Sequence, residues 1–115
     1  MTLTRDFTET IKERADRDPD FRTGLLTEAL EAVVRGECEV AKVLLRDYIN
    51  ATVGFAAVGK AIDKSPKSLM RMLSQSGNPQ AKNLFGVTQY LQKNAGMSFK
   101  VTAEPVKAKK RELAR

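Results

Sequence analysis

Apolar residues recur at helical rather than alternating spacing over most of this chain. Leu3, Phe7 and Ile11 open a first amphipathic stretch, which runs out at Asp18-Pro19, a break between elements. Asp20 then offers an N-cap for a second helix. Its apolar positions Phe21, Leu25, Leu26, Ala29, Leu30, Val33 and Val34 fall on one face until Gly36 ends it. Val40, Val43, Leu44, Tyr48 and Ile49 predict a third amphipathic helix closing near Asn50. Three such helices on short links must bury their stripes against one another, so these positions are core candidates rather than a ligand site.

The stretch TVGFAAVGKAIDKSPKSLMRML, residues 52–73, is denser. Phe55, Val58 and Ile62 point inward from a short helix, Asp63-Lys64 makes a tight turn, and Ser65 caps a second short helix that starts with Pro66. Leu69, Met72 and Leu73 face inward from that second helix, and Gly77-Asn78-Pro79 stops it. Two short helices joined this tightly predict a helix-turn-helix over about 54–76, whose second helix can enter the major groove of DNA. A longer helix follows to about Asn94, with Leu84, Val87 and Leu91 inward and Gly96 as its stop.

The period then changes to two. In SFKVTA, residues 98–103, Phe99 and Val101 alternate with Ser98, Lys100 and Thr102, which predicts a short strand. A lone strand in a helical chain should pair with another copy or another protein, or lie against the body as extended chain. The polar, basic end EPVKAKKRELAR reads as a disordered tail over 104–115. The expected architecture is all-α: a lambda-repressor-like helix-turn-helix bundle over 1–103, with preceding N-terminal helices and a C-terminal strand.

Composition changes the picture in two ways. At 115 residues the chain fits one domain, and its single Cys38 cannot form an internal disulfide. No apolar run approaches the roughly 20 residues of a membrane span, and the N-terminus lacks the apolar centre of a secretion signal, so a cytoplasmic protein without a membrane partner is expected. There is no His, hence no ordinary general base near neutral pH and no Cys/His cluster for zinc. No glycine loop suited to phosphate appears, and the carboxylates are scattered. Neither an enzyme nor a metal or other cofactor is expected.

Charge is more informative. Residues 1–59 hold eight Lys/Arg against eleven Asp/Glu, whereas residues 60–115 hold twelve against three, within a net charge of +6. A basic half points to a polyanion, most often nucleic acid. RNA is disfavoured because no aromatic platform accompanies the basic residues. Lys64, Lys67 and Arg71 cluster on the first turns of the second short helix, where the helix dipole makes cations unfavourable. That placement suits phosphate: the free amides with Lys64 and Lys67 make an anion site, and Arg71 one turn on reaches a base edge. The alternative for each is a solvated surface charge. Met70 could meet a thymine methyl, an exposed helical Met being the plainer reading.

The order RDPDF, two amphipathic helices, AAVGKAIDKSPKSLMRMLSQSGNPQAKNLFGVTQYL and GMSFKVTA resembles the addiction-module antidote proteins, antitoxins with a Xre/Cro-type helix-turn-helix. The resemblance covers about residues 17–103 and rests mainly on the spacing from Ser65-Pro66-Lys67-Ser68-Leu69 to Gly77-Asn78-Pro79. It implies a dimeric regulator that binds double-stranded DNA at its own operator and neutralises a cognate ribonuclease-type toxin. It places Lys67, Ser68 and Arg71 toward the groove, makes Ser65 a cap and phosphate ligand, and sets Gln75, Asn78 and Lys82 near the DNA backbone; Lys64 joins them from the turn. The chain departs from such motifs at Asp63-Lys64, where they carry Gly and an apolar residue. It departs again at Pro66, which replaces a base-reading side chain, and at Gly59, which replaces a small Ala at a helix-propensity cost of about 1 kcal/mol. The alternative reading is a helical protein–protein interaction module without sequence-specific DNA readout.

Overall fold

Pro19 opens a helix at no hydrogen-bonding cost, because first-turn amides have no intrahelical partner. The residue before it is extended, with φ −129° and ψ 92°, and its carboxylate accepts the Phe21 amide at 3.1 Å. Asp18, not Asp20, is therefore the N-cap; Asp20 sits in the first turn and complements the dipole. The structure, a computed structural model, describes residues 5–106; Leu3, the Phe7 side chain and the tail from Lys107 onward lie outside the described residues.

Among the described residues six helices follow one another: α1 (Arg5–Arg17), α2 (Pro19–Val34), α3 (Cys38–Ala51), α4 (Phe55–Ile62), α5 (Pro66–Met72) and α6 (Ala81–Ala95). Among the described residues there is no β-strand, so the architecture is all-α. No described helix is long and apolar enough to cross a membrane.

At the α1–α2 corner the Arg14 guanidinium lies 4.3 Å from the Phe21 ring centroid, and Arg22 Nη1 donates to the Ala15 carbonyl over a fully buried Ala15 side chain. α2 and α3 then carry the apolar stripes, with one revision. Val40 and Val43 are 48% and 43% exposed, while Ala41, Lys42, Leu45, Tyr48 and Ile49 are buried. The buried face of α3 is thus turned from the expected one, and a lysine lies within it.

Leu26 and Ala29 of α2 join Leu45, Tyr48 and Ile49 of α3, Phe55 and Val58 of α4, Leu69 and Leu73 at α5, and Val87 and Leu91 of α6 in one contiguous core. Burying a Leu, Ile or Phe side chain contributes about 1.5–3 kcal/mol, so the inward faces of α4–α6 hold these helices to the α2–α3 layer.

Three helices end in left-handed caps. After Gly36 (φ +76°) and Gly96 (φ +68°), the next amide bonds back to Ala32 and Gln92 at 2.9 and 3.0 Å. Asp63 takes the same conformation at φ 60°, ψ 47°, and Lys64 N donates to Gly59 O at 2.8 Å. A short polar side chain tolerates that region, which is how the turn forms without glycine.

The strand expected over 98–103 is not formed among the described residues. Residues 97–106 adopt no regular secondary structure; Phe99 packs against the core and its amide donates to Gln92 Oε1 at 3.3 Å. A ladder needs a second strand, and none exists among the described residues.

Candidate nucleic-acid interface

Ser65 is extended (φ −70°, ψ 154°) and caps α5: its Oγ accepts the Ser68 amide at 3.0 Å and donates to Ser68 Oγ at 3.0 Å. Pro66 occupies the first helical position. The apolar side of α5 is anchored by fully buried Leu69 and Leu73, which turns Lys67, Met70 and Arg71 to solvent.

The approach of α5 to α4 depends on Gly59. A Cβ there would stand 2.5 Å from Lys64 O, closer than carbon and oxygen tolerate. Propensity alone makes Gly59 a cost to α4; the packing makes it the residue that lets the turn fold back onto the helix. Gly77 is used likewise, since a Cβ would overlap the carbonyl oxygens of Arg71 and Met72. The chain between α5 and α6 thereby folds tightly under the end of α5.

That chain is also held from α3. Lys42 is only 2% exposed, and its Nζ donates to Gln75 O at 3.1 Å and Gly77 O at 2.7 Å while meeting Glu39 Oε1 at 3.2 Å. One turn on, Arg46 Nη1 donates to Leu73 O at 2.7 Å. Two cations four residues apart thus satisfy the carbonyl of Leu73 at the C-cap of α5 and those of Gln75 and Gly77 just beyond it, on the side where the helix dipole favours positive charge.

The result is a concavity of about 470 Å³ between α5 and the start of α6. Lys64, Ser68, Arg71 and Asn78 line it together with Met72, Ser76, Gly77, Pro79, Gln80 and Asn83. Four of the eight expected residues are therefore gathered around one polar hollow. The other four, Ser65, Lys67, Gln75 and Lys82, are exposed outside it. Gln75 is engaged through its carbonyl, which accepts from Lys42.

Among the described residues, none of Lys60, Lys64, Lys67, Arg71 and Lys82 takes part in an ion pair. All five are exposed, and from Lys60 to Lys82 the only acidic residue is Asp63. Surface cations left without counter-charges maintain a positive potential, the condition for attracting a polyanion.

Sequence reading missed two kinds of residue. Gln80 and Asn83 add side-chain amides to the hollow, and Gln80, the N-cap of α6, makes no side-chain cap bond. Their only signal was position, on either side of the Gly77-Asn78-Pro79 stop. Lys42 and Arg46 act from behind the surface; their signal was a lysine three residues before buried Leu45, inside the apolar stripe.

No family model matches the chain, and neither does any curated protein or solved structure. Among the described residues no group of three or more His, Cys, Asp or Glu is placed to hold a metal ion.

Proposed function

We propose that the chain is a dimeric DNA-binding transcriptional regulator that uses α4–turn–α5 as a helix-turn-helix, with α5 in the major groove. The observation that carries this reading is the exposed face of α5 and its flanks: Lys64, Lys67, Arg71 and Lys82 without counter-charges, and Ser68, Asn78 and Asn83 beside them as neutral donors and acceptors. Lysines near the backbone supply affinity through displaced counterions, while Arg71 is the side chain with the geometry for a guanine edge. Support for the recognition role also comes from rigidity: cap, glycine packing and the Lys42 and Arg46 bonds fix α5 at both ends.

The further assignment, an antitoxin that represses its own operon and neutralises a ribonuclease-type toxin in the cytoplasm, rests on the sequence resemblance alone. Its first test is the reading frame beside the gene.

DNA binding is tested by fluorescence anisotropy with the protein's own upstream duplex and a scrambled duplex, each at about 50 and about 200 mM salt. A preference for the upstream duplex that persists at the higher salt is the expected result. Equal, weak binding that salt abolishes would instead leave a protein-interaction module with a basic surface.

A further inference from the structure

Residues 98–106 leave most of their backbone hydrogen-bonding capacity unused among the described residues. From Ser98 to Val106 no amide or carbonyl bonds another backbone group among the described residues, and only the Phe99 amide has a side-chain partner, Gln92. This segment and α2 border a hollow of about 720 Å³, whose apolar lining includes Leu30, Val34, Phe99, Val101 and Val106. Val101 is 74% exposed.

The sequence of the segment prepares it for extended pairing. In an extended chain Phe99, Val101, Ala103 and Pro105 share one face and Ser98, Lys100, Thr102 and Glu104 the other. None of these residues has a positive φ, and Glu104 is held toward extended backbone by the proline that follows it.

We propose that residues 98–106 pair antiparallel with the same segment of a second copy, closing a two-fold homodimer through a two-stranded ribbon. Charge selects the register. Centred on Thr102, the pairing sets Lys100 opposite Glu104 of the other copy, and the reverse, while Thr102 meets Thr102. Val101 then faces Ala103 and Phe99 faces Pro105, so apolar meets apolar. A shift by one residue would oppose apolar to polar positions, and centring on Val101 or Ala103 would set neither lysine against glutamate.

Proline agrees with this register. With Thr102 at a hydrogen-bonded pair, Lys100–Glu104 is hydrogen-bonded too and Phe99–Pro105 is not, so the missing proline amide costs no ladder bond. A two-stranded ribbon alone is marginal in water, but this one would lie over the apolar hollow along α2 and cover Val101. The contact is isologous, as a closed dimer requires.

Sedimentation equilibrium on the full chain without DNA tests this separately from DNA binding. The wild type should be a dimer. Lys100→Glu and Glu104→Lys should each weaken it by about tenfold, by putting like charges opposite at two places, and the double variant should recover it. In a Cys38→Ser background, Thr102→Cys should oxidise to a covalent dimer, Thr102 being the one position that meets itself. Circular dichroism shows whether each variant keeps its helices. A monomer at every concentration overturns the proposal, as does a dimer indifferent to both single swaps. Single-swap losses that the double variant fails to restore overturn the register and with it the ribbon.

Discussion

The Lys42 ammonium on α3 lies 2.7 Å from the carbonyl oxygen of Gly77, 35 residues downstream. It also reaches Gln75, and both acceptors belong to the chain between α5 and α6, next to Asn78 of the candidate DNA face. A buried cation is normally costly; here two carbonyls and the Glu39 carboxylate compensate it. Lys42→Met keeps the aliphatic stem and removes the donor. The expected loss is about 1–3 kcal/mol, read as a lower thermal midpoint, with faster hydrogen exchange concentrated at residues 73–80. An unchanged midpoint would mean that water replaces the ammonium at no cost.

The glycines make a sharper test, because space and propensity oppose each other. Gly59→Ala should gain helix propensity yet destabilise by about 1–3 kcal/mol, since the new methyl meets Lys64 O. Gly24 in α2 has nothing within 4 Å of a built Cβ, so Gly24→Ala should stabilise by about 0.5–1 kcal/mol. Urea midpoints at unchanged slope measure both. Stabilisation by Gly59→Ala would show that α4 and α5 lie further apart than the structure has them.

These residues also mark what was legible in the sequence. The inward positions of α4–α6 were readable because Val58, Leu69, Leu73, Val87 and Leu91 bury at ordinary helical spacing. Exposure of Lys67 and Arg71 followed from the opposite face of α5, and that of Lys64 from its place in the turn. The Asp18 cap was misplaced by two residues because Asp20 also precedes Phe21; Pro19, as a first-turn residue, decides between them. The partners of Lys42 were out of reach, since Gln75 and Gly77 come near only once the chain has folded. The same holds for Gly59, whose need is set by one backbone oxygen across a turn. Alternation over 98–103 predicted a strand, but pattern cannot supply the second strand that makes a ladder.

On the DNA face, Arg71 and Lys67 should separate by kind of loss. Arg71→Ala should lower affinity for a cognate site more than for random DNA, by about 1–3 kcal/mol of discrimination if its guanidinium holds a guanine. Lys67→Ala should weaken both duplexes alike and reduce the salt slope by about one. Both are read from anisotropy titrations over a salt series. Equal losses for Arg71→Ala on the two duplexes would reassign it to phosphate.

Asp47 supplies a pH dependence. Burial raises its pKa above the ordinary 3.8, partly offset by the neighbouring Arg46 guanidinium. Between 3.8 and the raised value the folded chain keeps a proton that the unfolded chain has lost. Stability therefore falls as pH rises through that window, and the penalty is complete above it. Asp47→Asn has no charge to desolvate, so it should be the more stable protein near neutral pH, with its advantage over wild type shrinking as pH falls through the window. Because Asp47 is only partly buried, solvent screening keeps the gain small, and the thermal midpoints of the two proteins should be compared in one buffer series. A midpoint difference that stays flat across that series would mean the carboxylate remains fully hydrated in the folded state.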